Sequence, residues 1–270
     1  MSNVPLISVI SASWNQGRYL EECLKSVESL GPSLVEHIVI DNCSDDQTHN
    51  LLKRYPHVRA IIEPDGGQSE ALNKGFRAAR GEWILWLNVD DFLLPGSLEV
   101  YQKMIGDSRS DFDIIYGHMV FVDSESKRIK TVYQPQWYYW MTRNAGFVAP
   151  STGSLYRKEI LINEPLNHEF HIIMDTEWML RAGKNLRVKR IRREMAAFRI
   201  ADNKTAQHIQ EGTITPQHRA ERLQLVERYP DYPADLGEKE PFLGYLRRTM
   251  YRGMMRGWIK LDKAISFAIK

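Results

Sequence analysis

The chain has little cysteine, no long apolar run and no large excess of either charge, and each shortage removes a class of protein. Two cysteines in 270 residues, Cys23 and Cys43, are too few for a disulfide framework. Cys23 also falls on the apolar stripe of a predicted helix, so neither a disulfide nor a zinc site is expected, and a reducing cytosol fits best. No run approaches the roughly 18 apolar residues a membrane span needs. The opening residues Met1-Ser2-Asn3-Val4-Pro5 carry no basic segment followed by a long apolar region. The expected location is cytoplasmic. Basic and acidic residues number 36 and 34, for a formal net charge of +2, which gives no electrostatic case for nucleic acid as a partner. Neither a G-x-G-x-x-G nor a Walker loop occurs, so a Rossmann oxidoreductase is a poor reading.

What is present is a pattern of short apolar runs alternating with helical stripes over residues 6–98, the signature of βα units on a mainly parallel sheet. Runs at 6–10, 38–40, 58–62 and 83–87 are nearly continuous in apolar residues, as expected of strands covered on both faces. Tyr19, Leu20, Cys23, Leu24 and Val27 make one helical stripe; Ala71, Leu72, Gly75, Phe76 and Ala79 make another. Each run ends in a polar cluster: Ser13-Trp14-Asn15, Asp41-Asn42, Glu63-Pro64-Asp65-Gly66-Gly67, and Asn88 to Asp91. The carboxyl ends of parallel strands line the ligand crevice, so these clusters are expected to converge. Helix capping is the simpler account of Asn15, Ser44, Asp45 and Ser69. It does not account for Asp41, Asp65, Asp90 and Asp91 occurring together. The adjacent pair Asp90 and Asp91 places two like charges at a strand tip, which raises one pKa or recruits a cation; hard oxygen ligands there suit Mg²⁺ or Mn²⁺.

Beyond Pro95 a helix is expected near 98–104, strands near 113–122, 130–133 and 148–156, and a short helix over 174–182. Asn73 is a poor helix former within its stripe, explained either by a hydrogen bond supporting a nucleotide site or by an exposed face. Trp137, Tyr138, Tyr139 and Trp140 form an aromatic group for which core, a sugar-stacking platform and a lipid-facing surface are open, with core the default. From 205 onward the chain is helical and polar, broken by Pro216, Pro230, Pro233 and Pro241. In the last piece Leu243, Leu246, Met250, Met254, Trp258, Leu261 and Ile265 recur at three- and four-residue steps. Arg247, Arg248, Arg252, Arg256, Lys260 and Lys263 lie between them against Asp262. Such a basic amphipathic helix over 243–270 suits an anionic membrane surface, its own domain or a partner subunit in a homo-oligomer.

Ordered along the chain, these motifs resemble the family 2 glycosyltransferases with the GT-A fold. The resemblance runs from about 7 to 205. It rests on Ser13-Trp14-Asn15-Gln16-Gly17, His37-Ile38-Val39-Ile40-Asp41-Asn42, Glu63-Pro64-Asp65-Gly66-Gly67-Gln68-Ser69 with Ala71-Leu72-Asn73-Lys74-Gly75, Asn88-Val89-Asp90-Asp91, Met174-Asp175-Thr176-Glu177-Trp178, and Phe198-Arg199 with Lys204-Thr205. It implies a Rossmann-like, mainly parallel central sheet flanked by helices, with a mixed acceptor-side half and a C-terminal helical tail. Residues 1–100 would form the nucleotide-sugar half, 101–205 the acceptor-binding and catalytic half of the same domain, and 206–270 a helical extension.

The same resemblance implies site roles. Ser13, Asn15, Asp41, Asp65 and Asp90 would hold the nucleoside of a sugar nucleotide. A carboxylate only accepts hydrogen bonds, so Asp41 would favour the imide N–H of uracil or thymine, hence a UDP- or dTDP-sugar donor. Asp91 would coordinate Mn²⁺ or Mg²⁺ bridging the diphosphate, and Asp175 would be the base of an inverting transfer. Helix N-capping is the alternative for Asp175, and acceptor contact or solvation for Glu177. Arg199 and Lys204 would belong to a segment closing on the diphosphate. The expected acceptor is a glycan or lipid-linked glycan, in surface polysaccharide, lipopolysaccharide or capsule assembly, with the enzyme peripheral at the inner face of the cell membrane. Departures are Ala12 for the usual proline, Trp14 for tyrosine, Cys43 for glycine, and Ala201 for a histidine that would give a third metal ligand. Two other classes stay in view: a metal-dependent sugar nucleotidyltransferase, disfavoured by the absence of a glycine-rich loop after the first strand, and a catalytically degenerate glycan-binding scaffold.

Overall fold

Apolar runs covered on both faces become the parallel centre of the sheet. In the computed structural model, which describes residues 4–28, 34–106, 111–146, 148–201, 215–230, 232, 249–250, 253–254 and 256–260, β1 (Ile7–Ser13), β2 (Val35–Asp41) and β4 (Trp83–Trp86) are buried along nearly their whole length. β3 (Arg59–Ile62) departs from the expected double cover: it is the edge strand, largely exposed, with Ile62 at 48%. The remaining strands are β5 (Phe92–Leu93), β6 (Ile114–Val122), β7 (Arg128–Val132), β8 (Ser154–Arg157) and β9 (Val188–Arg199). Sheet order is β3-β2-β1-β4-β8-β6-β9-β5, with β7 pairing β6. Strands β3, β2, β1 and β4 are parallel, and β8 runs antiparallel to β4. One sheet thus passes from the parallel first half into a mixed second half. It is the α/β, helix-flanked architecture the motifs imply.

The flanking helices are α1 (Gly17–Val27), α2 (Thr48–Arg54), α3 (Gln68–Ala78), α4 (Ser97–Gly106), α5 (Tyr139–Ala145), α6 (Lys158–Asn163), α7 (Met174–Ala182) and α8 (Pro216–Arg228). From the α1 stripe Cys23 and Val27 pack with Ile7, Val9 and Leu85, and Leu20 and Leu24 with Val39 and Leu51; the α3 stripe packs with Ile10, Ile40 and Trp86. Gly75 lets α3 sit directly on β1, since a Cβ there would clash with Ile10 Cγ2.

Two expectations change on contact with the structure. The strand expected over 148–156 shrinks to Ser154–Arg157 because Ser154 N–H donates to Ser151 C=O in a turn and Gly153 has a φ of 69°. The aromatic group splits: Trp137 is core, its Nε1 donating to Thr142 Oγ1, whereas Tyr138 is 48% exposed. Neither cysteine is bridged; Cys23 is buried and Cys43 exposed.

Within 243–270 the described residues are helical, and Met250, Met254 and Trp258 stand 55%, 47% and 46% exposed. Trp258 meets Tyr138 and Trp140 edge-on, at centroid distances of 6.4 and 6.2 Å. The rest of that amphipathic segment lies outside the described residues. No helix among the described residues is long and apolar enough to cross a membrane.

Candidate active site

Parallel register brings the first two polar clusters side by side, with Ser13 paired to Asp41. After β1 the chain turns through Asn15, whose φ of 52° is a conformation Asn tolerates better than most residues. Asn15 N–H donates to Ser44 Oγ (2.8 Å) and Asn15 Oδ1 accepts from Asp45 N–H (2.9 Å). Ser44 in turn donates to both carboxylate oxygens of Asp41, at 2.6 Å from Oγ and 2.9 Å from N, and His49 Nε2 stands 2.8 Å from Oδ2. Asp41 is fully buried. In this arrangement its carboxylate ties the β1 and β2 turns together. Ser44 and Asn15 therefore do not cap helices; both helix starts instead engage Asp46, whose oxygens accept from Gly17 N–H and Thr48 N–H at 2.8 Å.

Beside this frame lies a cleft of about 610 Å³, lined by Ser13, Trp14, Asn42, Asp65, Gly67 and Asp90 from the first half and by His171, Ile172, Phe198 and Gln217 from the second. That volume suits a small-molecule ligand. Asp65 N–H donates to Asn42 Oδ1, and Asp65 Oδ1 accepts from Gly67 N–H, each at 2.9 Å. Among the described residues no hydrogen-bond partner meets the buried atoms Ser13 Oγ and Asp65 Oδ2. Buried polar atoms left unmade are costly, so both are poised for ligand groups. Burial also pushes the Asp65 carboxyl above its ordinary pKa.

The acidic pair closes the floor. Asp90 is 8% exposed and lines the cleft; Asp91, at 1%, sits behind it. Asp91 Oδ1 accepts from Arg199 N–H (2.9 Å) and Oδ2 from Thr152 Oγ (2.7 Å). Burial, then the neighbouring Asp90 charge, raises the Asp91 pKa well above the usual carboxylate range.

Arg199 departs from the expected place on a closing segment. It ends β9 at 1% exposure, and its guanidinium donates to Asp90 C=O (2.9 Å), Asp123 C=O (2.9 Å) and Glu22 Oε2 (2.6 Å) while stacking 4.4 Å from the Tyr19 ring. Its planar set of donors is consumed by the protein. Lys204 lies outside the described residues.

Whether a metal suits this floor depends on the donors present. Among the described residues no three His, Cys, Asp or Glu side chains form a metal-holding group. Two adjacent carboxylates, with burial raising the ionisation cost of Asp91, still favour a divalent cation, and Mg²⁺ characteristically takes one or two protein carboxylates with substrate phosphates and water. The residues fit a metal that arrives with a diphosphate.

Asp175 occupies the first turn of α7, where Ile173 is the N-cap, so capping is not its role. Its Oδ1 accepts from Thr176 N–H at 2.7 Å, and the Ser151 side chain lies close enough to the carboxylate to favour its ionised form. Burial pushes its pKa up and these contacts oppose the shift. Ser151 is the chain neighbour of Thr152, so the turn that bonds Asp91 also passes near Asp175. Glu177 is neither solvated nor directed at an acceptor. It is fully buried, with Arg181 Nε at 3.0 Å and Tyr229 Oη at 3.3 Å.

The wall leading to Asp175 is tied from elsewhere. Asn73, buried inside α3, donates to Leu166 C=O (2.8 Å) and accepts from Leu166 N–H (2.9 Å), which explains this poor helix former better than either expected role. Ser69 Oγ donates to Phe170 C=O at 2.8 Å. His171, Ile172, Phe198 and Gln217 were not among the expected site residues. For His171 and Ile172 the available signal was their place just before Met174-Asp175; Gln217 had none.

Solved structures share this architecture. TarS from S. aureus, solved with UDP-GlcNAc, superposes with a TM-score of 0.61 at 18% identity, covering 82% of this chain and 66% of that one. The mannosyltransferase PcManGT from Pyrobaculum calidifontis, solved with GDP-Man and Mn²⁺, gives 0.60 at 16% identity, covering 98% and 74%. In sequence, chondroitin synthase from Escherichia coli is 26% identical over 191 residues, 68% of this chain and 25% of that protein. The chain spans about half the length, or less, of the curated relatives it matches. The model of glycosyl transferase family 2 matches residues 8–183, which hold the ends of β1 to β4 and the carboxylates Asp65 and Asp90 of the cleft described above, and the chain belongs to that family.

Proposed function

We propose that the protein is an inverting glycosyltransferase that moves a sugar from a UDP- or dTDP-linked donor to a hydroxyl of a glycan or lipid-linked acceptor in surface polysaccharide, lipopolysaccharide or capsule assembly. The observation that carries this reading is the convergence of Ser13, Asp65 and Asp90 on one cleft whose opposite wall, His171 and Ile172, leads into Asp175 at the start of α7. Ser13 and Asp65, with buried atoms awaiting partners, hold the nucleoside, and Asp90 lies nearest the ribose or sugar. Asp91, with Asp90 beside it, would hold Mn²⁺ or Mg²⁺, which when bound offsets charge on the departing diphosphate. Asp175 accepts the acceptor proton as the new bond to the anomeric carbon forms and the bond to the diphosphate breaks. A pKa raised by burial makes a better base for that step. The relative chondroitin synthase and the UDP-GlcNAc complex of TarS support a sugar-nucleotide donor and a polymer acceptor.

A thermal-shift series with UDP, dTDP, GDP and CDP, with and without Mn²⁺, tests the donor side, since a native-state ligand raises the melting temperature by mass action. UDP or dTDP with Mn²⁺ should give the largest shift. No shift with any nucleotide would favour the scaffold reading instead. Pyrophosphate rather than nucleoside diphosphate as product would favour the nucleotidyltransferase.

The exposed Met250, Met254 and Trp258, with Arg256 and Lys260 on the same helical stretch, suit an anionic membrane surface bearing a lipid-linked acceptor. Co-sedimentation with phosphatidylglycerol vesicles but not with phosphatidylcholine vesicles is the expected result; equal recovery with both removes this contact.

A further inference from the structure

Helix α8 lies beyond the residues matched by the family model, yet it holds the loop that carries the second wall of the cleft. Glu221, buried at 4% exposure, points from α8 into that loop. Its Oε2 accepts from Ile172 N–H (2.9 Å) and Ile173 N–H (3.1 Å), and its Oε1 from His171 N–H (3.1 Å). Three successive backbone N–H groups converging on one anion form a nest of the kind that binds phosphate. Here the anion is a side chain of the protein itself.

The placement has consequences at both ends of the loop. Ile173 is the N-cap of α7 and supplies no side-chain cap, so Glu221 provides the acceptor and the negative charge that a helix N-terminus favours. His171 and Ile172 line the cleft, and Asp175 follows in the first turn of α7. The loop also rests on the first wall: Gly67, with a φ of 133°, leaves room for His171, whose Nδ1 lies 2.7 Å from where a Cβ would stand. α8 itself is anchored, with Leu225 fully buried in the core and Arg228 and Gln224 reaching Glu169 Oε2 at 2.8 and 3.2 Å.

We infer that Glu221 is a positioning residue for the transfer step, fixing residues 171–173 and through them the direction of Asp175. The inference rests on the reading of Asp175 as the base. Glutamine at 221 keeps one acceptor oxygen but turns an N–H₂ group toward backbone N–H donors, so it should restore only part of the effect. Alanine leaves all three donors without an acceptor.

The test uses the full chain and three variants, Glu221→Ala, Glu221→Gln and Asp175→Asn. Amide hydrogen exchange in Glu221→Ala should quicken at least tenfold in residues 169–176 and stay unchanged in β1, β2 and β4. Affinity for UDP with Mn²⁺ should stay within threefold. The rate of UDP release from UDP-glucose, UDP-galactose and UDP-GlcNAc at saturation should fall at least tenfold, with Glu221→Gln in between. Unchanged exchange at 169–176, or loss of protection throughout the sheet, overturns the inference, as does a release rate within threefold of wild type. Wild-type release by Asp175→Asn would remove the base assignment while leaving the exchange result to decide the role of Glu221 in holding the loop.

Discussion

The two walls of the cleft rest on different foundations. Ser13 and Asp90 stand at or just beyond the ends of strands paired in register, and Asp65 follows an adjoining strand by three residues. Strand pairing brings them to one edge of the sheet, and side chains add single ties, Asn42 Oδ1 to Asp65 N–H and the Arg199 guanidinium to Asp90 C=O. Opposite them, His171, Ile172 and Asp175 stand on a loop and a helix start with no strand beneath. That wall is held by side chains reaching from other elements: Asn73 and Ser69 from α3 and Glu221 from α8. A wall built on strands tolerates loss of one side chain, whereas a wall built on ties is set by each of them.

Asp175→Asn probes this contrast most strongly. Transfer should fall 100-fold or more, the scale of a lost general base, while UDP binding at the first wall stays within twofold. Equal losses of both would mean the walls are not separable. In the parent protein, transfer should decline as pH falls through the Asp175 pKa, because only the ionised carboxylate accepts a proton. Burial raises that pKa, so the decline should begin above the ordinary aspartate range.

Next in size are paired stability changes. Asn73→Ala strands the buried N–H and C=O of Leu166 and should cost about 2–3 kcal/mol by denaturant unfolding, with faster exchange over 164–173. Gly75→Ala forces a methyl against Ile10 and should cost about 1–3 kcal/mol without that local signature. Loosening of 164–173 in both variants would erase the distinction.

The smallest change should be Asp91→Asn in metal-free protein. The native carboxyl binds its proton more tightly than the unfolded chain does, so its ionisation subtracts stability as pH rises through the raised pKa. Asparagine removes that loss and still accepts from Arg199 N–H. The melting temperature at pH 7 should rise by a few degrees, on the order of what 1 kcal/mol gives, and the pH dependence should flatten, with transfer lost. A lower melting temperature would show that the Thr152 and Arg199 bonds outweigh the cost of the charge.

This contrast also explains what could be read in advance. Ser13, Asp65, Asp90 and Asp91 were legible because every parallel strand points its carboxyl end to the same edge, so apolar runs followed by polar residues converge whatever the loops do. The place of Asp175 at the start of a short helix was legible from the motif and periodicity around it. Arg199 was not, since an arginine after an aromatic residue looks the same whether it faces a phosphate or backbone carbonyls and a glutamate. Asp41 likewise: its partners Ser44 and His49 are near in sequence, but nothing in their spacing shows that they would take up its oxygens. Glu177, Asn73 and Gln217 depend on contacts with distant elements, and no local periodicity reports those.

The turn at Ser151 and Thr152 stands beside two acids at once: Thr152 Oγ1 donates to Asp91 Oδ2, and the Ser151 side chain lies near Asp175. Their α-carbons are held about 3.8 Å apart across a rigid peptide plane. Inserting a single residue between them would shift one of these contacts relative to the other.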